Sequence, residues 1–187
     1  MTLKVIAELA TVRDGTAHTR FRVKGATESE VRKMIEEDKL SDFAGGTAIK
    51  VGEKPGRFAF SPLGGPPGTL RDLDAKADGS LKLTLRGPIH GGGDVFVRTD
   101  PANGDVLIEE RGIAYRPDLR FVPVAGQMEA LFEAVVPVFG GIARAMREGF
   151  EKVAGTPMAG LHVFLANSGH IAKNLEEGLR RHRERKS

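Results

Sequence analysis

Asp78-Gly79 and Asn103-Gly104 constrain this chain more than any other feature of its 187 residues. Each dipeptide favours the positive backbone angles of a tight hairpin turn. Each also sits between two segments rich in β-formers. Thr69 to Lys76 and Leu81 to Arg86 flank the first, and Asp94 to Thr99 and Asp105 to Arg111 flank the second. Two successive hairpins predict an antiparallel meander. Shorter strands precede it at Thr47 to Gly52 and Arg57 to Ser61. Between these and the meander, Pro62 to Gly68 is too dense in Pro and Gly for a regular element and reads as a surface flap.

On either side of this region the pattern changes. Leu3 to Val12 and Ala17 to Lys24 read as two strands joined by the turn Arg13-Asp14-Gly15-Thr16. Thr27-Glu28-Ser29-Glu30 is a capping box, with Val31, Met34, Ile35 and Leu40 following on one helical face. After Pro123 the apolar period is helical. Met128, Leu131, Phe132, Val135, Phe139, Ile142, Met146, Phe150 and Val153 predict an amphipathic helix of about 30 residues, kinked at Pro137. Gly155-Thr156-Pro157 ends it. Leu161, Phe164, Leu165, Ile171, Leu175 and Leu179 form the stripe of one further helix. Strands and helices are segregated along the chain, which predicts an α+β fold. The expected architecture is a curved antiparallel sheet gripping a long C-terminal helix, with an additional C-terminal helix. We divide the chain into a helix-grip-like α+β domain over residues 1–156 and an amphipathic helix with a basic tail over residues 157–187.

Several chemistries are excluded by residue type or spacing. The chain has no cysteine, so disulfides, thiolate metal sites and cysteine nucleophiles are absent. This suits a reducing compartment, and a cytoplasmic location is expected. The N-terminus has no apolar core of a signal peptide, and no segment reads as a membrane span. His90-Gly91-Gly92-Gly93 matches a string that builds oxyanion holes in some esterases, but no serine lies in the G-x-S-x-G elbow this requires. The triple glycine reads instead as a bend or bulge, or as a close backbone approach. No phosphate-loop pattern occurs. His18, His90, His162, His170 and His182 form no metal-ligand motif, so neither metal nor cofactor is expected. Asp72, Asp74 and Asp78 lack the calcium-loop pattern. In Glu109-Glu110-Arg111 a strand sends Glu109 and Arg111 to one face and Glu110 to the other, and either face can turn inward.

Net charge is +3, and its source is the C-terminal end. Residues 173–187 carry six Lys/Arg and three Asp/Glu, ending in RRHRERKS, while the preceding residues are balanced. Such a tail suits an anionic membrane surface, RNA or an acidic protein, or simply a solvated helix end.

The element order resembles the START-like, helix-grip (SRPBCC) superfamily. "TRFRVKGATESEVRKMIEED", residues 19–38, looks like that family's opening strand and first helix. Residues 47–116 look like its meander, and residues 124–154 like its gripping helix. Within the superfamily, "GGIARAMREGFEKVAG" is similar to the G-type subunits of carbon monoxide dehydrogenase. The strand at residues 3–12 and the helix after residue 157 stand outside the pattern. The resemblance implies a cavity under the long helix that takes lipids, sterols, quinones or polyketides, in many members without catalysis.

The expected function is therefore that of a non-catalytic binding or carrier protein for a hydrophobic small molecule such as a lipid or quinone. Its wall would come from Leu131, Val135, Phe139, Ile142 and Met146 on the helix. Phe58, Phe60, Leu83 and Phe96 would supply inward strand positions. The alternative is an interaction protein that docks through its last helix and basic tail. A third reading is an enzyme using one buried polar group, with Glu109, Arg111 or His90 as candidates.

Overall fold

A computed structural model describes residues 2–37, 47–50, 58–61, 69–86, 91–115 and 158–187. Its strands are β1 (Lys4–Arg13), β2 (Thr16–Lys24), β3 (Thr47–Lys50), β4 (Phe58–Ser61), β5 (Thr69–Ala75), β6 (Leu81–Arg86), β7 (Gly91–Thr99) and β8 (Val106–Tyr115). The described helices are α1 (Glu28–Glu37), α2 (Met158–Asn167) and α3 (His170–Glu184). These eight strands join one antiparallel sheet in the order β1-β2-β8-β7-β6-β5-β4-β3. The meander from β3 to β8 is present, and the first hairpin docks β2 against the last strand. The class is α+β, a curved sheet followed by C-terminal helices. The helix expected over residues 128–153, with its Pro137 kink, lies outside the described residues, as does Leu40.

The turn chemistry fixes three hairpins. In the first, Asp14 and Gly15 adopt φ of 49° and 74°, as a two-residue turn between twisted strands requires. In the second, Asp78 accepts bonds from the Ser80 backbone N–H and hydroxyl. In the third, the Asp100 carbonyl accepts from Gly104 N–H at 2.8 Å.

Cross-strand register sorts the sheet into two faces. Val5, Ala7, Thr19, Phe21, Val23, Val106, Ile108, Glu110, Val95, Val97, Leu81, Leu83, Leu85, Arg71 and Leu73 share the inner face. Arg20, Arg22, Glu109, Phe96, Arg98, Lys82 and Thr84 share the outer one. Most of the inner residues are buried and form a single core with Val31, Met34 and Ile35 of α1 and with Leu165, Ala166, Ile171, Leu175 and Leu179 of α2 and α3. Residues 158–187 therefore contribute to the same core as the sheet. Fully burying one such aliphatic side chain is worth roughly 1.5–3 kcal/mol.

Two expectations need correction. The single helix predicted after Pro157 is two helices. Gly169 takes a left-handed φ of 83°, which stops α2 and serves as the N-cap position of α3. Of the predicted stripe, Leu165, Ile171, Leu175 and Leu179 are buried in the same core across the break, whereas Phe164 is half-buried. Second, β7 and β8 are longer than the sequence implies. Gly91 and Gly92 pair with Tyr115 and Ala114, and a register shift between Gly92 and Asp94 absorbs the irregularity. The triple glycine is a bulged stretch of strand inside the ladder, not a bend between hairpins.

The capping box of α1 forms as read. Glu30 N–H donates to Thr27 Oγ1 at 3.2 Å, and Thr27 N–H donates to Glu30 Oε2 at 3.4 Å. The same Glu30 receives Arg183 of α3 through Nε at 2.6 Å and Nη2 at 3.2 Å, and Arg183 also donates to the Gly25 carbonyl. This fork ties the end of α3 to the start of α1. The hydrogen bond from Arg183 holds the Glu30 carboxyl below its usual range. A lowered carboxylate stabilises above its unfolded pKa, and this contribution is lost as pH falls through the native value. Arg183→Ala is expected to cost about 1 kcal/mol at neutral pH, since the arginine side chain is 39% exposed. Urea melts should show this difference shrinking in acid; equal wild-type and variant stabilities at pH 7 would contradict the tie.

Candidate functional site

Among the described residues, the inner face carries one hydrogen-bonded polar cluster amid its apolar side chains, and three elements build it. On β2, Thr19, Phe21 and Val23 alternate with Arg20, Arg22 and Lys24, so Thr19 must share the face of Phe21. On β8, Glu110 stands directly opposite Thr19 and, on its other side, opposite Val95. On α2, Ala159, His162, Leu165 and Ala166 are buried, one helical stripe pressed on the sheet. His162 sits in that stripe with no exposed surface.

The three side chains meet at one oxygen. Thr19 Oγ1 donates to Glu110 Oε1 at 2.7 Å. His162 Nε2 lies 3.1 Å from the same oxygen. A carboxylate only accepts, so Nε2 carries the proton in this contact. Burial pushes the Glu110 carboxyl up, but the neighbouring His162, the hydrogen bonds from His162 and Thr19, and the field of Arg71 outweigh it. The net effect holds Glu110 below the usual carboxylate range. Arg71 stands on the inner face of β5, 5% exposed, with Nη2 donating to the Ile35 carbonyl at 3.3 Å.

The two Glu110 oxygens are unlike. Oε1 receives two donors, which fills its lone pairs. Oε2 receives no hydrogen bond from the described residues, and the side chain remains 17% accessible. The arrangement is a fixed carboxylate with one oxygen locked and one open.

The polar groups singled out from the sequence fall elsewhere. Glu109 and Arg111 lie on the outer face. Arg111 binds Glu109 Oε2 through Nε at 3.1 Å and Nη2 at 2.9 Å, and Arg98 binds Oε1. Burial raises the Glu109 carboxyl, yet these two guanidinium groups leave it below its usual range. Both its oxygens are occupied, so of the Glu-Glu-Arg run it is Glu110 that turns inward. Leu107 beside Ile108 makes β8 apolar on both faces there, which hid the phase. His90 lies outside the described residues.

Among the expected wall residues, Leu83 is buried on the inner face. Phe96 is on the opposite face from buried Val95 and Val97, half-buried beneath the Arg111 guanidinium at 4.3 Å from the ring centre. It is not an inward position, because Val95 and Val97 set the phase of β7 and leave Phe96 with the outer residues. Phe58 and Phe60 stand in β4 opposite Arg71 and Thr69. Leu131, Val135, Phe139, Ile142 and Met146 lie outside the described residues. Nothing in the sequence groups Thr19, Arg71, Glu110 and His162 as one site. The regular alternation of β2 could have marked Thr19. Nothing could have marked His162, because α2 is apolar all round and its sequence does not fix which side is buried.

The basic end of the chain is largely engaged within the fold. Arg180 pairs with Glu177 and Glu184, and Arg183 with Glu30. Among the described residues no group of three His, Asp or Glu could hold a metal ion. No described helix is long and apolar enough to cross a membrane. No family model, curated protein or solved structure matches the chain.

Proposed function

We propose that this protein binds an apolar small molecule, as a carrier and not as a catalyst, against the inner face of its sheet. The observation that carries the reading is the accessible carboxylate of Glu110 on a face that is otherwise almost wholly apolar. An ionised group in such a place is costly unless it is paired, and Thr19 and His162 pair only one of its two oxygens. Apolar walls with a small number of placed polar groups are what small-molecule sites require. The wall residues expected from the sequence at Leu131, Val135, Phe139, Ile142 and Met146 lie outside the described residues. Docking through the C-terminal basic residues has less support, since Arg180 and Arg183 already hold carboxylates of the same chain.

The test uses the full chain twice. Protein purified without delipidation should release an organic molecule of a few hundred daltons on denaturation, read by mass spectrometry. Refolded, ligand-free protein should bind N-phenyl-1-naphthylamine saturably, one per chain. Absence of both would end the carrier reading.

A further inference from the structure

We infer that the molecule held at this site presents a neutral hydrogen-bond donor, a hydroxyl or amide N–H, to Oε2 of Glu110, and that an acid is the disfavoured guest. This rests on the binding role proposed above. Thr19 at 2.7 Å and His162 at 3.1 Å exhaust the accepting capacity of Oε1. They also fix the plane of the carboxylate, so Oε2 keeps one direction. No hydrogen bond from the described residues reaches Oε2, although the side chain retains 17% of its surface. Arg71, which shares the inner face, donates to the Ile35 carbonyl on α1. Oε2 therefore keeps an accepting direction that no described donor fills, and a guest that excludes water from this apolar face is favoured when it supplies a donor there.

The charge of the head group follows from the same neighbours. Glu110 already has His162 against it and feels the field of Arg71. It needs a donor more than it needs a cation, and an ammonium would have to shed its own hydration to enter an apolar face. A carboxylate guest would place like charge against Oε2 with no donor between them. A hydroxyl or amide meets neither obstacle. Its hydrogen bond to an ionised acceptor should favour it roughly ten- to hundredfold over an equally long guest without a donor.

The experiment compares four displacement curves on ligand-free wild-type chain. N-phenyl-1-naphthylamine is displaced at pH 7.5 by 1-decanol, decanamide, decyl methyl ether or decanoate, all at concentrations below micelle formation. Decanol and decanamide should displace the probe at concentrations at least tenfold lower than the ether and decanoate. The variant Glu110→Gln adds a second readout. Its amide oxygen can keep the Thr19 and His162 donors, which turns the NH2 group toward the guest. The advantage of the alcohol over the ether should then fall to within about twofold. If the probe binds wild type but all four compounds displace it equally, or decanoate does so best, the head-group inference is overturned while the carrier role stands. If the probe does not bind at all, both fall. Should the glutamine variant fail to fold, the wild-type series decides alone.

Discussion

Glu110→Leu is expected to destabilise the protein by about 3 kcal/mol, because it removes the acceptor from a histidine that has no exposed surface. Thr19 and His162 would both keep their protons pointed at a methyl group. For a chain of this size, that loss lowers Tm by roughly 6–12 °C. The informative comparison is the triple variant Thr19→Val, Glu110→Leu, His162→Leu. Replacing a whole buried polar network by apolar residues is often neutral or stabilising. The triple variant should therefore melt near wild type while losing the preference for donor head groups. A triple variant no more stable than Glu110→Leu would show that the cluster serves packing and not recognition.

The same carboxylate makes stability depend on pH in a defined direction. Its native pKa is lowered, so its contribution is complete above the ordinary glutamate value of about 4.3 and is lost as pH falls through the native one. Wild type should weaken in that acid window more steeply than Glu110→Gln. Glu30 and Glu109 are lowered too and titrate in the same window, so only the difference between wild type and variant reports on Glu110.

Gly92→Ala is the second large effect, again about 3 kcal/mol or more. A Cβ on Gly92 would overlap the Leu83 carbonyl oxygen of the neighbouring strand. That atom is backbone and cannot rotate away, so β6 and β7 must separate or the ladder must break. Gly93→Ala should behave similarly, since its Cβ would stand 2.9 Å from Ile113 Cα and 3.0 Å from the Arg111 carbonyl oxygen. Thermal melts followed by circular dichroism measure both. A Gly92→Ala variant with unchanged Tm would refute the close approach. The result also bears on the HGGG string: Gly91 and Gly92 sit in the strand ladder opposite Tyr115 and Ala114, and the glycines are required by packing between strands.

Sequence alone determined the elements and their connections wherever local chemistry decides. Asp14-Gly15, Gly79 and Gly104 set their turns because few other residues adopt those positive backbone angles, and the Thr27–Glu30 box set the start of α1 because both of its bonds are local. Alternation in β2 likewise told inside from outside. What needed the tertiary structure was the phase of elements that are apolar on more than one side. Val106 to Ile108 and the whole of α2 read the same whichever way they turn, so their partners chose for them. That choice put Glu110 and His162 inside, Phe96 outside, and brought together three side chains separated by 91 and 52 positions in the chain. Local preferences act over a few residues, and the meeting of Thr19, Glu110 and His162 exists only once β2, β8 and α2 are packed against one another.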